Sequence, residues 1–250
     1  MSTIRETLDA LFEAERTVRS LHTSLRGEGD GELIPELRAA TTAALALDDD
    51  DEASVRLLRL AILLGDLQGN EVVDLLIDIL GGPAPEARLA AGEALEGLAF
   101  DRFKEVALGI ERALERLPKG NPALGELPFL LAEVGEPGCA KLLGRFLQNE
   151  DAEVVASAIE AMAELGDPAA IPLLAKLDRD GRHVQLDEEE GSERVSIADL
   201  AHEAREILEE LAHETAPGPS RPREEKPAPP PKASPQKPGA GGSTNKKARR

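Results

Sequence analysis

The stretch Glu153-Val-Val-Ala-Ser-Ala-Ile-Glu-Ala-Met-Ala-Glu-Leu-Gly-Asp-Pro-Ala-Ala-Ile-Pro-Leu-Leu174 decides the fold. Its first part places apolar residues at helical spacing and fills the rest with alanine and glutamate, which favour helix. Gly166 then supplies the left-handed residue that ends a helix, Asp167 an N-cap, and Pro168 a first helical position. One helix therefore stops and another starts within three residues. The same corner recurs as Leu64-Gly65-Asp66, more loosely as Leu98-Ala99-Phe100-Asp101, and as Val134-Gly135-Glu136. The acids at 66, 101, 136 and 167 lie 35, 35 and 31 residues apart. A period of that length holding two helices predicts a solenoid, in which no unit buries its apolar face alone and neighbours stack into one core.

Working outward, the periodicity gives five helix pairs. The first has its A helix at about 32–47 and B helix at 52–64; the second, 70–80 and 86–98; the third, 102–117 and 122–134. The fourth spans 137–148 and 152–165, the fifth 168–177 and 197–213. Asn121 is the expected cap of the third B helix, and Pro128 inside that helix is expected to kink it. Ahead of the array, residues 3–25 form an amphipathic helix along Ile4, Leu8, Leu11, Phe12, Val18, Leu21 and Leu25, capped by Ser2 or Thr3. Residues 1–31 thus read as an N-terminal capping helix and linker. Within the last pair, His183–Leu186 and Arg194–Ser196 alternate weakly around an acidic centre; a short β-hairpin and an acidic loop both fit residues 182–196. Ser196 and Asp199 form a capping box for the last helix. From 214 to 250, Pro, Gly, Ser, Lys and Arg take over, the composition of a disordered tail.

Composition agrees with an all-α core and narrows the functions. The chain is 41% hydrophobic but only 2% aromatic, with no Trp or Tyr, which suits Leu/Ala helix packing better than a β-sandwich. The net charge of −19 is unevenly placed. Residues 214–250 hold nine of the 29 Lys and Arg and three of the 48 acids, making the tail +6 and leaving −25 on the rest. A body so acidic repels nucleic acid and anionic lipid and favours basic partners. No apolar stretch approaches the roughly 20 residues of a membrane span. The start has no apolar h-region, and the single cysteine excludes an intrachain disulfide, so the expected location is cytoplasmic.

The segments 153–174 and Glu86-Ala-Arg-Leu-Ala-Ala-Gly-Glu-Ala-Leu-Glu-Gly-Leu98 resemble short HEAT-like repeats of the phycobilisome-lyase type. The resemblance covers roughly residues 33–213 and is strongest in the fourth pair. It implies a right-handed α-solenoid in which the B helices line the concave side, and a scaffold that binds proteins. Tetratricopeptide repeats want Trp and Tyr, and ankyrin repeats Thr-Pro-Leu-His; neither pattern occurs. A few HEAT-like proteins are enzymes, so a lyase or lyase subunit acting on a protein-bound prosthetic group is the alternative function.

Candidate sites weigh against that alternative. His202-Glu203 and His213-Glu214 are similar to the iron-binding pairs of HEAT-like deoxyhypusine hydroxylases, but both fall on one helix where those enzymes carry them in both halves. A solvated helix surface explains them, and no metal, cofactor or catalytic residue is assigned. Cys139, among Gly138, Ala140 and Leu142, reads as a small core residue. What remains is a surface. Aligned by their closing Leu or Val, the B helices place Arg56, Arg59, Glu93, Glu126, Phe129, Glu133, Glu153, Ser157, Glu160, Glu164, Glu203, Glu206 and Glu210 outward in register. This ridge runs from basic to acidic and is read either as ordinary solvation or as the binding face for a protein with a basic segment. The tail Pro227-Ala-Pro-Pro-Pro-Lys232 and Lys246-Lys-Ala-Arg-Arg250 reads as a solubilising extension, or as a contact for an aromatic groove, an anionic surface or the chain's own acidic body.

Overall fold

In the computed structural model, which describes residues 3–188 and 191–215, ten α-helices and one β-hairpin follow in order. The helices are α1 (Ile4–Arg26), α2 (Asp30–Leu45), α3 (Asp50–Gly65), α4 (Asn70–Leu80), α5 (Pro85–Arg116), α6 (Ala123–Val134), α7 (Cys139–Phe146) and α8 (Ala152–Leu165). Then come the short α9 (Ile171–Leu174) between two 3₁₀ turns, the strands β1 (His183–Glu188) and β2 (Gly191–Ser196), and α10 (Ile197–Thr215). The tail reading falls on residues 216–250, outside the described residues.

The caps are the ones the residues dictate. Thr3 and Glu6 form a capping box at α1, and the Asp49 and Asp151 carboxylates accept from the first turns of α3 and α8. Asn121 Oδ1 accepts from Ala123 N at 3.0 Å, and α6 runs on through the buried Pro128. Gly135 and Gly166 close α6 and α8 with φ of 60° and 66°, a conformation that penalises any side chain. Asp167 then accepts from Ala169 N at 2.9 Å.

Two corners differ from the repeated phrase. Gly65 ends inside α3, and the turn is completed by Gly69 at φ 120°. At 98–102 the chain holds neither Gly nor Pro. The second B helix and third A helix consequently join as α5, broken only at Arg102 (φ −145°, ψ 50°). Arg102 secures that bend by donating to the Leu67 carbonyl at 3.2 Å and pairing with Glu105.

The second member of each pair packs on the second member of the next: α3 on α5, α5 on α6, α6 on α8, α8 on α10. A single apolar core runs from Leu33 in α2 to Leu208 in α10. Small residues set the close approaches. A Cβ on Gly109 would lie 2.3 Å from Val73 Cγ1, so α4 and α5 meet at that glycine. Arginines clip consecutive repeats on the outside: Arg112 grips Asp74 with Nη2–Oδ1 at 2.9 Å, and Arg182 Nη1 donates to the Asn149 carbonyl at 2.7 Å.

The segment between 182 and 196 is an antiparallel hairpin with His183 opposite Ser196 and the buried Val184 opposite Val195. Ser196 and Asp199 then start α10, with Asp199 N donating to Ser196 Oγ at 3.1 Å. By contrast α1 buries no side chain.

Candidate functional site

The row α3, α5, α6, α8, α10 carries every residue of the expected ridge. Between the first half of α5 and α6 it opens into a groove of about 510 Å³. Helical spacing builds each wall: Pro85, Leu89, Gly92, Glu93 and Glu96 follow one face of α5, and Glu126, Phe129, Leu130 and Glu133 one face of α6. Leu80, at the end of α4, and Arg88 complete the lining. Leu89 is 67% exposed, a large price for a leucine in water, while Phe129 is half-buried against the core.

The groove's chemistry is an apolar floor inside an acidic rim. Arg88 spans it to pair with Glu126. Among the described residues Glu93, Glu96 and Glu133 have no cation within ion-pair distance, so their charges face solvent unneutralised. The floor is open at Gly92, where a Cβ would meet only Leu80 Cδ1, at 3.8 Å.

The other ridge residues lie outside the groove. Glu153, Glu160, Glu164, Glu203 and Glu210 are exposed on α8 and α10, and among the described residues form no ion pair. Glu206 sits 3.5 Å from His202, its neighbour one turn away. Ser157 is half-buried where α8 meets Gly125 of α6. At the basic end Arg56 is paired with Glu52 and Arg59 with Glu15, which neutralises that end.

The sequence identifies Glu93, Glu126, Phe129 and Glu133 but not Leu80, Pro85, Arg88, Leu89, Gly92, Glu96 and Leu130. Leu89 was hidden because it lies in a helix whose Leu95 and Leu98 are buried. Aligning the helices by their closing Leu or Val selects position 93, and Leu89, one turn earlier on the same face, is the available signal. Cys139 is buried and its thiol pKa is raised by desolvation, the environment of an inert core residue. No group of three His, Cys, Asp or Glu side chains suited to a metal occurs among the described residues. Nor is any helix there long and apolar enough to cross a membrane.

Residues 126–187, from the acidic wall of the groove through the hairpin's first strand, match the family model for HEAT repeats. That stretch is a run of HEAT-like repeats. A search of curated proteins found no match. Among solved structures, the chain aligns with a designed armadillo repeat protein in complex with the peptide (KR)4, at 17% identity over 79% of this chain and 94% of that one, TM-score 0.34. An engineered protein aligns at 16% identity over 84% and 95%, TM-score 0.34. Human deoxyhypusine hydroxylase in complex with glycerol aligns at 16% over 82% and 99%, TM-score 0.25.

Proposed function

We propose that this HEAT-like array is a non-catalytic protein-binding scaffold whose α5–α6 groove takes a basic, partly apolar peptide segment. The observation that supports this is the groove itself: an exposed Leu89 beside Phe129, ringed by Glu93, Glu96 and Glu133, which have no cation of their own among the described residues. An apolar side chain of the ligand removes Leu89 and Phe129 from water, which stabilises by about 25 cal/mol per Å² buried. Lysines or arginines on either side meet the rim glutamates and fix register and on-rate. The glutamates of α8 and α10 extend the same sign of charge along the row and steer the remainder of a basic segment.

The test uses the full chain and a fluorescein-labelled 12-residue Lys/Leu peptide, with a Glu/Leu peptide of equal length as control. Binding is expected for the Lys/Leu peptide alone and should weaken steeply between 50 and 300 mM salt, conditions that shorten the screening length. Glu93→Lys with Glu133→Lys should weaken it at least tenfold, and Phe129→Ala several-fold. Reversing Glu160, Glu164, Glu206 and Glu210 to Lys tests the extended face. Equal affinity for both peptides, or affinity unchanged in the Glu93/Glu133 variant, overturns the reading.

A further inference from the structure

Among the described residues, the apolar side of α1 is largely without a partner, Val18 alone of its stripe being half-buried. Ile4 is 83% exposed, Leu11 60%, Phe12 57% and Leu21 60%, and Leu8 and Leu25 are exposed as well. Ionic contacts tie α1 to the first repeat: Glu15 to Arg59 at 3.6 Å, His22 to Asp66 at 2.8 Å and Arg26 to Asp66 at 3.4 Å. The α3 face bearing Arg59 and Asp66 also carries Val55 and Ile62, exposed by 59% and 43%. The terminal layer of a solenoid ordinarily shows a polar outer face, because nothing further stacks on it. Here the first layer shows leucines, and a further layer belongs on it.

We infer that a second copy of the chain supplies that layer, the two α1 helices pairing antiparallel. The charges select this occupant and this direction. Residues 4–15 hold Arg5 against Glu6, Asp9, Glu13 and Glu15, a net of −3; residues 16–26 hold Arg16, Arg19 and Arg26 and no acid, a net of +3. Antiparallel pairing lays each negative half on a positive half and is self-complementary, as a two-fold contact must be. Parallel pairing would lay like on like. Two apolar faces apposed along a helix about 34 Å long bury on the order of 1,000 Å², the least a specific contact needs.

Other occupants fit less well. Residues 216–250 contain no Leu, Ile, Val, Met or Phe and so hold no apolar stripe to match that of α1. A helix lying on anionic lipid carries an excess of Lys and Arg on its polar face, whereas the four acids and four arginines of α1 cancel and the rest of the acidic body repels such a surface.

Sedimentation velocity of the full chain from 1 to 100 µM reads the result. A concentration-dependent species of twice the 26.6 kDa chain mass is expected. Leu8→Lys with Leu11→Lys should be monomeric throughout, its folding verified by an unchanged urea midpoint of the array. Asp9→Lys/Glu13→Lys and Arg16→Glu/Arg19→Glu should each be monomeric alone, since the two halves of α1 then carry one sign. Mixed one to one, these two variants should recover the dimer. A wild-type chain monomeric at 100 µM, a dimer that survives Leu8→Lys/Leu11→Lys, or charge variants that fail to pair on mixing overturns the proposal. The Lys/Leu peptide assay is separate, because the α5–α6 groove and α1 share no residue.

Discussion

Gly109 is where α4 and α5 meet with no room for a side chain, which its neighbours in sequence do not reveal. Within α5 it looks like a helix-weakening glycine, and alanine would ordinarily gain up to about 1 kcal/mol there. The structure reverses the sign. Val73, β-branched and buried, occupies the space the methyl would need, 2.3 Å from the ideal Cβ position. Gly109→Ala should therefore destabilise the array by about 1–2 kcal/mol, within the usual range for overpacking. A lower urea midpoint at constant slope is the expected reading, and Val73→Ala in the same chain should restore part of the loss. Phe129 and Leu89 show the same dependence on place: Phe129 was found from its register with the glutamates, whereas Leu89 required knowing which side of α5 meets the core.

One ion pair, between Asp180 and Arg182, holds the approach to the hairpin. Asp180, just before β1, accepts from Arg182 Nε at 3.0 Å and from the Arg182 backbone N at 3.1 Å, while Arg182 reaches back to the α7–α8 turn at Asn149. The guanidinium's hydrogen bonds hold the Asp180 carboxyl below the usual carboxylate range, against the opposing effect of burial. A carboxyl whose pKa is lowered by folding stabilises fully above its unfolded pKa of about 3.9 and loses that contribution as pH falls through the folded value. Asp180→Asn should cost about 1 kcal/mol at pH 7, a modest figure because the arginine is partly exposed to solvent. The difference from wild type should shrink below pH 4, as followed by thermal melts across the pH series. A difference that stays constant to pH 2 would show that the carboxylate charge is not the cause. The hairpin itself was half-legible: alternation suggested it, and Val184 buried against the array settles it.

Across the whole array, one core links repeats that pack mainly on their neighbours. Leu131, fully buried in α6, sits near its middle. Leu131→Ala should cost about 2–5 kcal/mol through lost burial and the cavity left behind. Urea unfolding followed by helical circular dichroism should shift as a single transition; two separated transitions would mean that the repeats on either side unfold independently. Sequence alone determined the helices, their capped corners and the period, because these follow from spacing along one chain and from the backbone chemistry of Gly, Pro, Asp, Ser and Asn. It also placed the outward glutamates, since charged side chains rarely enter such a core. Only tertiary structure decided that the 98–102 corner is a bend in one helix and that α5 and α6 part to leave Leu89 in a groove. It alone showed that Arg56 and Arg59 are already neutralised and that the leucines of α1 face outward. Each of those outcomes depends on which residue of a different element lies opposite, and periodicity within one helix carries no record of that.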